Sequence, residues 1–447
     1  MRFLFSSCFC LAVCLASSAS AQISTADEVS LPATSTATTE PFSFGDFTWL
    51  NGANRQKSAL LDSKYFTGSF LLDVNYTASL AHPVDDTVVG STALARNNEV
   101  QVSFVGIGGD FHFDGARARF MTQFGTRATV VPRNDTSADR GQFDLRTAYR
   151  YLSEAYGGYH WDVLHGVNLD VGIFMSYVGL MSYAAFENWA YQPSFTSDNT
   201  PWFFNGARLQ VFPTDRLKVE LWLINGWQTY GKFNDLPGIG AQILWRPREE
   251  FSVLANAYVG TDSAGHPGRW RFHSDNSVLV RYWNRAGSFL NRAAFSITGD
   301  IGWESGDGVS AWGGSGGPAQ NFLSAMAYHR VWFSEDHFAW TVGGGFIHNP
   351  GRYLTLVPTG VAGSQFDTSP GSSFDGWDIS TTLDWMPRDW LTWRLEWVHR
   401  EASVPYFAGH GGVTSPDGYT TTALPPSWTP DQVRYETRGI GALLVRF

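Results

Sequence analysis

The residues able to support covalent or metal chemistry are few, and their spacing is wrong for it. Gly313-Gly314-Ser315-Gly316-Gly317 matches the G-x-S-x-G pattern of serine hydrolases, which needs a strand before the serine and a helix after it. Here Pro318 closes a glycine-rich run, so the segment reads as a flexible external loop. The eleven histidines include no H-x-x-x-H or HExxH pair. Glu304, Asp307, Asp367, Asp375 and Asp378 could offer oxygens to calcium, but they lack EF-hand spacing. No P-loop or GxGxxG pattern is present, and the three cysteines (Cys8, Cys10, Cys14) all fall within the first 21 residues. The chain therefore reads as a non-enzyme with no cofactor and no metal.

What remains is a set of charges placed opposite apolar residues along strands: Asp73, Arg117, Arg119, Asp170, Arg208, Lys218, Glu220, Asp300, Glu304, Asp378, Asp384, Arg394, Glu396, Arg434, Glu436 and Arg438. Their chemistry would be electrostatic, lining a water-filled interior and acting on solutes in transit. Acidic residues exceed basic ones in the chain, with a net charge of -10. Nine of these sixteen lining charges are acidic, which predicts a mild preference for cations, and the net charge argues against nucleic acid as a partner.

The elements that would carry these charges show period two. Phe66, Gly68, Phe70, Leu72, Val74 and Tyr76 alternate with Thr67, Ser69, Leu71, Asp73, Asn75 and Thr77. Ala293, Phe295, Ile297, Ile301 and Trp303 are set against Ser296, Thr298, Asp300 and Glu304; Trp377, Ile379, Leu383 and Trp385 against Asp378, Ser380, Thr382 and Asp384. Such runs are strands with two unlike faces. There are about 16 of them, within a range of about 14–18. The longest apolar stretch, Val171 to Phe186, is broken by glycines and serines and falls short of the ~20 residues a membrane helix needs. Charged residues are only 16% and aromatics 15%.

Connections between the runs alternate long and short. Trp161, Phe212, Trp245, Trp283, Phe333, Trp385 and Trp390 lie beside the short ones, where an aromatic girdle would sit. Sorting of loops by parity is the mark of a membrane-spanning meander. The expected fold is all-β: a transmembrane antiparallel up-and-down β-barrel. Arg2, the apolar run Phe3 to Ala16 and Ala19-Ser20-Ala21 read as a signal peptide over 1–21, cleaved after Ala21. A Ser/Thr-rich flexible leader (22–41), a segment forming a short helix or a plug (42–63) and the barrel (64–447) follow. The aromatic connection Tyr177 to Thr200 is too apolar to stand in water. It is expected either to fold inward and narrow the pore, with Tyr183, Phe186, Glu187, Trp189 and Tyr191 at the constriction, or to pack at the rim or at a subunit contact. Leu443, Val445 and the terminal Phe447 share one face and resemble the strand signal read by the outer-membrane barrel-insertion machinery.

Several short runs resemble one known family. Gly172-Ile173-Phe174-Met175-Ser176-Tyr177-Val178-Gly179, Glu187-Asn188-Trp189-Ala190-Tyr191, Thr200-Pro201, Asn205-Gly206-Ala207-Arg208, Phe212-Pro213-Thr214-Asp215 and Asn225-Gly226-Trp227-Gln228 are similar to the OmpL-like putative β-barrel porin-2 family. The resemblance implies a barrel in the bacterial outer membrane with a porin-like role, and it offers no catalytic residues. The expected function is passive diffusion of small hydrophilic solutes or ions. The alternative is a plugged barrel serving as a surface adhesion or assembly scaffold. Expected partners are outer-membrane lipid, the insertion machinery, the permeating solutes and further copies in a homo-oligomer.

Overall fold

An isolated strand buries nothing, so runs with one apolar and one polar face must pair laterally until every edge is used. In the computed structural model they do so completely. The structure describes residues 40–447 except 84, 136, 138–140, 233, 357, 359–365, 368 and 411–430. The segments expected to be a signal peptide (1–21) and a leader, as far as residue 39, lie outside the described residues.

The strands are β1 (Phe66–Ser79), β2 (Val100–Phe113), β3 (Ala116–Thr122), β4 (Leu152–Trp161), β5 (Val167–Met175), β6 (Phe203–Thr214), β7 (Leu217–Ile224), β8 (Gly238–Arg248), β9 (Phe251–Gly260), β10 (Trp270–Asn284), β11 (Leu290–Ser305), β12 (Asn321–Phe333), β13 (Phe338–Asn349), β14 (Phe374–Arg388), β15 (Leu391–Ala402), β16 (Phe407–Ala408), β17 (Gln432–Val433) and β18 (Tyr435–Arg446). All but β16 and β17, which form their own small ribbon, make one closed antiparallel barrel of 16 strands. Each strand pairs with its neighbours in sequence, and β1 closes on β18 from Leu71↔Arg446 to Ser79↔Arg438. Beyond that ladder, Phe70 and Phe447 exchange backbone hydrogen bonds of 3.1 and 2.8 Å, and their rings stack at 5.9 Å. The three alternating runs quoted above fall inside β1, β11 and β14.

Outward rows meet lipid. Leu221, Leu223, Ile239, Ile243, Ile297, Leu383 and Leu395 are all exposed on the outer face. Trp161, Trp245, Trp385 and Trp393 mark one end of this band, and Trp270 and Trp377 the other. On β14, Trp377 and Trp385 are separated by roughly 27 Å of strand at the usual rise per residue, which suits a tilted strand crossing a hydrocarbon band about 25 Å tall.

The short connections repeat one piece of chemistry. Pro213, Pro247 and Pro387 sit just before hairpin turns, and the ladder shifts register there, between Val211 and Thr214, Trp245 and Arg248, and Trp385 and Arg388. Proline has no N–H to give the ladder, so a bulge is where a strand can hold one. The Gly313–Gly317 run lies in turns between β11 and β12, with no helix after it.

Lipid-facing placement carries a cost for charge. Ile297→Arg, near mid-strand on the outer face, is expected to lower folding free energy into lipid vesicles by about 2–4 kcal/mol. A urea titration of folding gives the number, and a loss below about 1 kcal/mol would contradict the outward assignment.

Candidate functional site: the barrel lumen

Inward-facing charges are brought together in small groups, within one strand or across one or two neighbouring strands. Asp170 lies 3.2 Å from Arg117 and 2.7 Å from Arg208. Arg119 sits between Asp110 (2.6 Å) and Glu154 (2.5 Å), and Lys218 meets Glu220 at 2.6 Å. Glu304 pairs with Arg271 at 2.7 Å, and Asp384 joins Arg394 and Arg330, each at 2.7 Å. Glu436 is 3.4 Å from Arg438, and Asp300 is 2.7 Å from His273. The signs are thus interleaved around the wall, and no acidic face opposes a basic one. Among the expected lining residues Arg434 is the exception. It stands exposed at the bend between β17 and β18, because the strand that would have turned it inward begins one residue later.

Between the ion pairs runs a ladder of amides. His160 Nδ1 lies 2.8 Å from Asn168 Oδ1, Asn168 donates to Gln210, and Gln210 donates to Glu220 at 2.6 Å. It resumes from Gln242 to Asn256 (3.0 Å) and from Asn256 to Asp275 (3.2 Å). Strand register places these residues side by side, so one polar row circles the wall from β4 to β10.

The connection between β5 and β6 folds into this interior, and residues 188–200 are all buried. Its backbone finds partners on the opposite wall. The amides of Tyr191 and Gln192 donate to the two oxygens of Glu396 at 2.5 and 2.8 Å. Tyr191 Oη donates to Asp73 and accepts from Asn75, both at 2.8 Å. Phe195 N and Ser194 Oγ donate to Asp378 at 2.7 and 2.9 Å, and Arg394 donates to the carbonyls of Ala185 and Asn188. Tyr183 meets Ser153 at 2.7 Å, Phe186 packs edge-on to Phe104, and Trp189 edge-on to Trp332. Burial raises the Glu187 carboxyl above its ordinary range, although Arg446 at 3.7 Å pulls the other way. The loop is therefore held inside the barrel, not packed on its rim.

A second piece enters from the end bearing the short turns. Residues 40–64 form turns and bends with no helix. Phe42 N donates to Asp215 O at 2.7 Å, and Trp49, fully buried, donates through Nε1 to Glu249 O at 2.9 Å. Asp46 reaches Arg292 at 3.2 Å and Arg281 at 3.5 Å, and Arg55 donates to Thr392. Sequence reasoning gave these residues no role. The two pieces touch: Asn51 donates to Leu180 O and accepts from Trp189 N at 2.8 Å, and Gly52 N donates to Glu187 O at 2.6 Å. Trp49, Leu50, Met181 and Trp189 share one apolar cluster with Leu279, Met326 and Trp332 from the wall.

Beside this obstruction, against β6–β9, lies a cavity of about 320 Å³. It is lined by Asn51, Leu180, Arg208, Lys218, Glu220, Trp222, Gln242 and Arg246. Its walls are charged and hydrogen-bonding on the barrel side and mixed on the loop side.

A family model described as putative beta-barrel porin-2, OmpL-like, matches residues 65–424. A search of curated protein sequences returns no match. Among solved structures, the outer-membrane channel DcaP of Acinetobacter baumannii is 12% identical with a TM-score of 0.48, covering 87% of this chain and 100% of its own. An anion-selective porin from Comamonas acidovorans is 9% identical with a TM-score of 0.48 (86% and 99% covered), and OmpT of Vibrio cholerae is 9% identical at 0.47 (87% and 100%). Likenesses this distant carry nothing about solute or selectivity.

Two substitutions test the internal packing. Trp49→Ala should cost roughly 3–5 kcal/mol, as for a buried aromatic elsewhere, read as a lower midpoint in heat-modified gel mobility. Glu396→Gln keeps one acceptor but loses the other, which should expose the 183–192 stretch to protease in the folded barrel; unchanged protection would refute the anchoring role of Glu396.

Proposed function

The chain belongs to the putative beta-barrel porin-2, OmpL-like family, and from that membership we propose that it is an outer-membrane channel for passive diffusion of small hydrophilic solutes or ions. The mechanism is a concentration gradient acting across a narrowed lumen, with no covalent step. The observation that carries this reading is the cavity of about 320 Å³ beside the inserted loop, walled by Arg208, Lys218, Glu220 and Gln242. A wall kept polar at such expense in desolvation suits water and solute, since an interior meant only for packing is cheaper when apolar. In this reading residues 1–21 direct export and are removed after Ala21, and Leu443, Val445 and Phe447 present the last strand to the insertion machinery. The inward charges line the pore, while Tyr183, Phe186, Glu187, Trp189 and Tyr191 narrow it.

One observation favours the plugged scaffold instead. Asn51 and Gly52 tie the entering segment to Trp189 and Glu187, joining the two obstructions into one body.

Current through single barrels separates the readings. Protein refolded in detergent and added to a planar bilayer should give stepwise, long-lived conductance. Deleting 183–192 should raise the unit conductance several-fold. A heat-modifiable barrel that passes no current until that deletion is made would select the plugged scaffold.

A further inference from the structure

The charges around the cavity do not cancel, and the residue left over is Arg246. Each acid on strands β2 to β7 has a cation within reach: Asp170 holds Arg117 and Arg208, Glu154 and Asp110 share Arg119, and Glu220 takes Lys218. Arg246 faces inward from β8 at the cavity's edge, and among the described residues it has no carboxylate partner. Its guanidinium lies 4.8 Å from the ring centroids of both Phe42 and Phe47, and its Nε has no hydrogen-bond partner. Aromatic faces soften the desolvation of a cation but leave its charge in place. Paired charges act on a passing ion as dipoles whose field falls off quickly, whereas an unpaired one in a low-dielectric wall reaches across a narrow passage.

We infer that the passage beside β6–β9 prefers anions, and that Arg246 sets that sign. The inference rests on the channel reading. It is opposite to the mild cation preference expected from the acidic excess among the lining charges, because a count of residues treats a neutralised acid and a free cation alike.

Reversal potentials in a potassium chloride gradient test it directly. Wild type should show chloride permeability above that of potassium. Arg246→Gln should bring the ratio toward one, while Arg246→Lys, which keeps the charge, should retain the preference. Arg388→Gln, which removes one positive charge at a turn outside this cavity, should leave the ratio where wild type has it. A cation-selective wild type, or a ratio that Arg246→Gln does not move, overturns the assignment of the sign while the channel stands. Absence of any current overturns the channel and this inference with it.

Discussion

Hydrocarbon offers a peptide group no hydrogen bond, and this one deprivation organises the rest of the structure. A sheet in that environment cannot tolerate an edge, so β1 must find β18, and the ladder from Leu71↔Arg446 to Ser79↔Arg438 is where it does. Closure then fixes which face is which. Once one row is committed to lipid, the intervening row is committed to the interior whatever its chemistry, and the charged residues follow from that geometry.

A barrel of 16 strands encloses more space than its own wall side chains fill. Two solutions to that surplus coexist here. Part of the interior is solvated by the protein itself: carboxylates of the wall accept from loop backbone, as Glu396 does from Tyr191 and Gln192, and the amide row from His160 to Asp275 satisfies itself laterally. The other part stays open against β6–β9. The division is made by the loop between β5 and β6 together with the segment around Trp49, which meet near Asn51.

Strand positions were legible because lipid enforces alternation at nearly every residue, leaving a signal redundant enough to survive errors at the ends. The same redundancy pointed to charges that turn inward, but it placed Arg434 there before its strand had begun and left out Arg271, Arg281, Arg330 and Arg400, which are also buried on the inner face. The packing inside was much less legible. Asn51, Trp49 and Arg246 gain their partners from residues more than a hundred positions away, or from a segment with no period at all, so spacing carried no trace of them. The inward loop was half-readable: its apolar composition demanded burial, but composition cannot say which wall receives it. Which sign the passage favours is likewise beyond a residue count, which does not know which acids are already neutralised.

The loop's attachments have a bearing on the order of events during folding. Its anchors on Asp73 and Glu396 belong to β1 and β15, the two neighbours of β18, and Arg446 near Glu187 lies at the end of β18 itself. An early part of the chain is therefore fastened to the seam that the last strand completes. Until β18 is in place the two halves of that landing site are not held in register, and the loop has nowhere to finish docking. The strand that seals the wall is thus also the one that sets two of the loop's anchoring strands in register, so closure of the perimeter and seating of the loop share one element.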